Sequence, residues 1–253
     1  MFGKLLKYEF KFVGKLYFAI YATILALSVV IGLMSSRLIL EVLGSATASS
    51  LPVLSFLTGV LIILLFVGII ITYTMIASRF KQSIFGRQGY LTLTLPVSTH
   101  QLILVKVLSG IFWILTSLVV TVLSLYIITT LSVSSIGLSS ITPSFFNFFN
   151  IDLLSWIYNG ALYFMFILQI YFSISLGHLA NNHRTFLATL YFIIILVATI
   201  WIRNSARLGY LVSPFNNSTY QSTFWLAVLF NLFLAGIFYM GTYAIIRNSV
   251  NLD

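Results

Sequence analysis

Six stretches of this chain, Leu16–Met34, Val53–Ala77, Val107–Leu131, Leu153–Leu176, Phe186–Ile202 and Phe224–Ile246, run without a single Asp, Glu, Lys or Arg. A bilayer core about 30 Å thick is crossed by about 20 apolar residues of helix, so each stretch is a candidate span. A β-barrel would alternate polar and apolar residues in shorter segments, whereas these runs are continuous. Only 7% of the residues are charged, against about 25% in an ordinary soluble domain, which leaves too few ions to cover a surface in water. Disorder requires low hydrophobicity, and 60% of this chain is hydrophobic. The expected fold is an all-α membrane protein with six transmembrane helices. The chain has no cysteine, which excludes disulfides, thiolate metal sites and cysteine nucleophiles.

The formal charge of +9 is unevenly placed. Lys4, Lys7, Lys11, Lys15, Arg79, Lys81, Arg87, Lys106, Arg184 and Arg247 fall on one side of the expected spans, and Arg37, Arg203 and Arg207 on the other. The positive-inside rule then puts both termini in the cytosol. The first apolar run is longer than the core of a cleaved signal and reads as a retained span. On the outer side, residues 35–51 are rich in Ser, Ala and Leu. Residues 132–150 lead into Phe145, Phe146, Phe148 and Phe149, which with Trp156 and Tyr158 fit an interfacial aromatic belt.

Residues 1–15 form the amphipathic entrance to a six-helix domain over 16–253. At 100° per residue, Lys4, Lys7, Lys11 and Lys15 fall within an arc of about 80°, opposite Phe2, Leu5, Leu6, Phe10, Phe12 and Val13. This predicts a helix lying in the cytosolic interface with its lysines toward anionic headgroups. Glu9 projects from the apolar arc, where a carboxylate is costly unless it is paired. It either snorkels to water or accepts hydrogen bonds from a cytosolic loop or a partner subunit.

Residues 78–101 form the largest basic-side connection, punctuated by Gly86, Gly89 and Pro96. Leu91, Leu93 and Leu95 alternate with Thr92 and Thr94, as a short strand or as a helical turn whose leucines pack on something. Leucines exposed on such a loop point to a docking surface. Here the sequence resembles the ABC-2-type permeases, the membrane subunits of bacterial ABC exporters. Their loop runs from a Gly-containing segment through Leu-x-x-x-x-Pro-Val-Ser to a Lys that opens the third span. Arg87, Gly89, Leu91, Pro96, Val97, Ser98 and Lys106 occupy those places. The string from Gly89 to Pro96 resembles the short permeases of Gram-positive bacteria, many linked to peptide export or self-protection. Lys7, Tyr8, Glu9, Phe10 and Lys11 resemble the family's elbow helix, and residues 175–178 and 182–184 the turn after its fourth span. The family often places an acid before the loop glycine, but here Arg87 and Gln88 stand there.

The resemblance implies that two permease copies or homologues enclose a path, while separate ATP-binding subunits, carrying ATP and Mg, dock beneath them. Phe85, Arg87, Gly89, Tyr90, Leu91, Leu93 and Pro96 would form the ATPase-coupling loop, and Lys7, Glu9 and Lys11 the elbow. Residues 203–222 would form an outer gate bent by Pro214 and Phe215. The chain has no Gly-x-x-x-x-Gly-Lys-Ser/Thr loop to cradle ATP itself.

Three further readings concern isolated polar residues. His100, His178 and His183 lack the converging ligands of a metal site and read as interfacial hydrogen-bonding groups. No Gly-x-Ser-x-Gly or His-Glu-x-x-His pattern supports an intramembrane enzyme. The spans also carry Ser117, Ser124, Gln169, Ser173 and Ser175, which read as helix–helix contacts, together with Thr72, Thr74, Thr116, Thr121 and Asn159. The last five are candidates to line a pathway. An ion-coupled secondary transporter is the alternative function, but such proteins place carboxylates or histidines at mid-membrane. If Glu9 is held by a loop or partner, Glu9→Gln is expected to reduce recovery of the assembled complex in mild detergent. Unchanged recovery would count against that role.

Overall fold

A computed structural model of the chain describes residues 2–43, 51–86, 98–134, 153–180, 182–206 and 220–249. The described residues are all-helical: α1 is Phe2–Leu43, α2 Leu51–Ile84, α3 Thr99–Ser134, α4 Leu153–His178, α5 Arg184–Ser205 and α6 Tyr220–Ser249. All six are long and apolar enough to cross a membrane, which bears out the expected six-helix membrane fold. Several helices outrun the apolar stretches. The segment 2–15 and the first span form one uninterrupted helix, α1, because nothing in it removes a backbone donor as proline would. The expected connection 78–101 is shorter than its composition implied, since α2 continues to Ile84 and α3 begins at Thr99. Likewise Arg203–Ser205 belong to α5 and Tyr220–Ser222 to α6. Hydropathy marks where lipid ends, whereas the helical hydrogen-bond ladder continues past that point as long as the residues are good helix formers.

The residues fall into two compact groups. One contains α1 from Lys7 onward, α2 through Thr74 and α3 from Phe112. Its core is Ile24, Ile31 and Leu61, with Leu27, Leu64, Val120 and Ile128 packed around them. Trp113 organises the end of this group that lies toward the N-terminus of α1. Its ring stacks on Tyr17 at 4.3 Å and meets Phe10 edge-on at 6.2 Å. The Tyr17 hydroxyl donates to the Thr72 carbonyl (3.4 Å), and Tyr21 shares a hydrogen bond with Thr116 Oγ1 (3.4 Å). Toward the other end of the pair, Ser35 and Ser132 hydrogen-bond. In lipid no hydrophobic force draws helices together, so shape fit and such polar contacts decide the pairing.

The second group holds Phe2–Leu6, α2 from Met75, α3 up to Ile111, and α4 to α6. Its centre is α4, the most enclosed span, which packs against both α6 and α5. Tyr158 and Ala161 of α4 cluster with Phe224, Ala227 and Val228 of α6. Further along, Phe172 stacks on Phe238 at 5.6 Å. Early residues thus meet early residues and late meet late, so α4 and α6 run parallel. Two glycines permit these approaches. A Cβ on Gly177 would lie 2.6 Å from the Ala188 backbone nitrogen, and one on Gly241 would collide with the Phe172 ring. The chain turns from α4 into α5 through His183, whose φ of 53° lies in the left-handed region that histidine visits more readily than most side chains. In α5 only Ala188 and Thr199 are buried, leaving most of its apolar surface uncovered within the chain.

Gly177→Val should therefore lower thermal stability by an overpacking cost of about 1–3 kcal/mol. Gly160→Ala, where the added methyl meets nothing within 4 Å, should be neutral or stabilising by up to about 1 kcal/mol. Unfolding in detergent by differential scanning fluorimetry checks the contrast.

Candidate functional site: the helix ends that flank residues 87–97

The end of α2 is fastened at three points. Phe80 is fully buried and stacks on Tyr171 of α4 at 4.0 Å, with an interplanar angle of 8°. Lys81 Nζ donates to Thr185 Oγ1 of α5 at 2.7 Å. Phe85 stacks on His178 at 4.3 Å, while the His178 Nδ1 lies 2.9 Å from the Ile174 carbonyl of its own helix. The last turn of α2 therefore grips the end of α4 and the start of α5.

The start of α3 is fastened to a different helix. Ser98 caps it, its Oγ accepting from the Gln101 N–H (3.3 Å) and its carbonyl from Leu102 N–H (3.2 Å), as expected of a serine N-cap. His100 Nδ1 and the Tyr239 hydroxyl of α6 share a 2.7 Å hydrogen bond. The same imidazole stacks on Tyr243 at 4.1 Å, and Arg247 Nη1 donates to the Tyr243 hydroxyl (3.4 Å). Deeper in α3, the buried Lys106 lends its carbonyl to the Tyr171 hydroxyl (3.0 Å). One end of this group consequently gathers Lys81, His100, His178, Arg184 and Arg247.

Of the residues assigned to the coupling loop, Phe85 is placed as above, while Arg87, Gly89, Tyr90, Leu91, Leu93 and Pro96 lie outside the described residues. Pro214 and Phe215 of the expected outer gate do so too. Lys7, Glu9 and Lys11 lie within α1, where Lys7 is exposed; the side chains of Glu9 and Lys11 are outside the described set. The proposed lining threonines spend their hydroxyl protons on their own helices. Thr72 donates to the Gly68 carbonyl at 2.8 Å and Thr74 to Ile71 at 3.0 Å. Thr116 donates to Trp113 at 2.9 Å and Thr121 to Ser117 at 2.9 Å. Asn159 is half-buried on α4, in the other group of residues. Among the described residues no three His, Asp or Glu converge as a metal site would require.

No protein-family model matches this chain, and neither a curated protein nor a solved structure matches it. The described geometry consists of two helix ends, one bonded to α4 and α5 and the other to α6.

A second feature joins Gln169, which the sequence offers as a helix–helix contact, to Asn231, which it does not single out. Gln169 and Asn231 are each 1% exposed. Asn231 Oδ1 accepts from Arg203 Nη2 at 3.1 Å, but Asn231 Nδ2 and both amide atoms of Gln169 are buried without a hydrogen-bond partner. The signal was present as two amides inside apolar runs, but by residue type they look no different from the self-satisfied threonines. Tyr239→Phe should cost about 1 kcal/mol, the net worth of one hydrogen bond. His100→Ala should cost about 2 kcal/mol, because the ring stack goes as well. Thermal unfolding of the two variants beside the unsubstituted protein measures both.

Proposed function

We propose that this chain is the membrane subunit of an ATP-driven transporter of the ABC-2 permease type, exporting amphipathic or hydrophobic cargo such as a peptide across a bacterial cytoplasmic membrane. The observation that carries this reading is that the two described helix ends before and after residues 87–97 are each fastened to later helices, Phe85 to His178 and His100 to Tyr239. In this reading, force received between those two ends passes to α4, α5 and α6. The string from Gly89 to Pro96 is also where the resemblance to such permeases is strongest.

In this reading the end bearing Lys81, Arg184 and Arg247 faces the cytosol, in keeping with the excess of basic residues there. Residues 2–15, continuous with the first span in α1, carry the basic face at the cytosolic interface. ATP and Mg bind a separate subunit, and a second permease copy or homologue completes the path. The six spans contain no Asp or Glu, which counts against coupling to a proton or sodium gradient, because that normally relies on intramembrane carboxylates.

Affinity purification of the full chain in mild detergent should recover an ATP-binding protein, and alanine substitutions at Tyr90, Leu91 and Leu93 should reduce both its recovery and its ATP hydrolysis. Recovery of a lone protein that transports without ATP would overturn the reading.

A further inference from the structure

A polar side chain in the hydrocarbon of a bilayer has no water to turn to. Serine and threonine escape this by donating back to the carbonyl three or four residues earlier, as Ser173 does to Gln169 (2.7 Å) and Thr242 to Phe238 (2.7 Å). An amide carries both a donor group and an acceptor. Gln169 meets neither need and Asn231 leaves its donors unmet, although both are buried.

Their positions are related. Tyr158 faces Phe224 and Phe172 faces Phe238, so α4 and α6 keep one residue offset along the seam. On that offset Gln169 aligns with Ala235 and Asn231 with Met165, all four buried. The two amides are therefore one turn apart on matching stripes. Asn231 lies two turns beyond Phe224, where its span begins. Gln169 lies about 20 Å from Trp156 at 1.5 Å per residue, near the middle of the α4 span. Above them Arg203, close to the end of α5, turns its guanidinium onto Asn231 rather than leaving it in water. The three residues descend as a ladder from the rim of the membrane to its interior.

The balance of this ladder is one-sided. Arg203 retains N–H donors beyond the one on Asn231, Asn231 has an unused NH₂, and Gln169 has another. The only unused side-chain acceptor among them is Gln169 Oε1, and no carboxylate lies within the spans to neutralise Arg203. Surplus donors beside a positive charge recognise oxygen-rich anions. We propose that Arg203, Asn231 and Gln169 form a binding site for the anionic group, carboxylate or phosphate, of an amphipathic molecule, reached when the seam between α4 and α6 parts. The amides are covered in this structure, so binding requires α4 and α6 to part. That the bound molecule is the cargo rests on the transport reading; the binding itself does not.

The test uses the full chain in phosphatidylcholine nanodiscs. One arm titrates an amphipathic peptide with a free C-terminal carboxylate against the same peptide amidated. The other replaces part of the lipid by phosphatidylglycerol and reads thermal stability. The site requires a preference of about tenfold or more for the carboxylate peptide, or stabilisation by phosphatidylglycerol; the arm that responds identifies the source. Arg203→Gln, Asn231→Leu and Gln169→Leu should each abolish that preference. Gln169→Leu should at the same time raise the melting temperature, because it removes a buried amide with both needs unmet. No discrimination in either arm overturns the proposal. So does a Gln169→Leu variant that melts lower and binds as before, since that amide would then serve packing alone. An ATPase that co-purifies with a protein lacking anion preference removes the site and leaves the transport reading. Anion preference with no ATPase does the reverse.

Discussion

Every polar group carried into the hydrocarbon must find its partner within the protein, and the rest of this structure depends on how that demand is met. The backbones meet it by remaining helical from end to end, which is why α1 runs unbroken from Phe2 to Leu43. The hydroxyls meet it by bonding to their own helices. Contacts between helices are then left to shape and to a few longer-range polar bonds, such as Tyr171 to the Lys106 carbonyl and Tyr17 to the Thr72 carbonyl. Glycine at 177 and 241 lets neighbouring helices come close enough for that fit to matter. The amides of Gln169 and Asn231 are where the demand goes unmet.

The spans were legible from the sequence because the absence of charge over a membrane's thickness is a signal of composition alone. Their ends were less so. Lys106 stands at the edge of an apolar run, yet it is buried well inside α3, since a long aliphatic stem can enter a packed region that hydropathy marks as closed. Of the joints beside residues 87–97, the sequence offered His100 and His178 as hydrogen-bonding groups but not their partners. That His100 lies against Tyr239 and Tyr243 depends on two helices far apart in sequence. Thr72, Thr74, Thr116 and Thr121 attract attention as polar groups in lipid, but a threonine can discharge its need within one turn of its own helix. An amide cannot do so as completely, and only the packed structure separates the two cases.

The jointed helix ends lie at one end of the group formed by α4 to α6, the amide ladder runs from the other end to mid-span, and the two share those helices. His178 belongs to the same helix as Gln169, and Tyr239 to the same helix as Asn231. Under the transport reading, force received beside residues 87–97 would be borne by the two helices whose seam covers the unmet amides. The parallel arrangement of α4 and α6 gives both helices the same polarity along that line.

All of this requires the joints to face the compartment that holds ATP. The absence of native cysteine makes single-cysteine labelling in whole cells the most direct measurement, with Ser98→Cys beside the joints and Asn204→Cys at the other end of α5, both exposed positions. With a membrane-impermeant maleimide, Asn204→Cys should be labelled in intact cells and Ser98→Cys only after permeabilisation. Labelling of Ser98→Cys in intact cells would place residues 87–97 outside, beyond the reach of any ATP-binding partner, and would contradict the account.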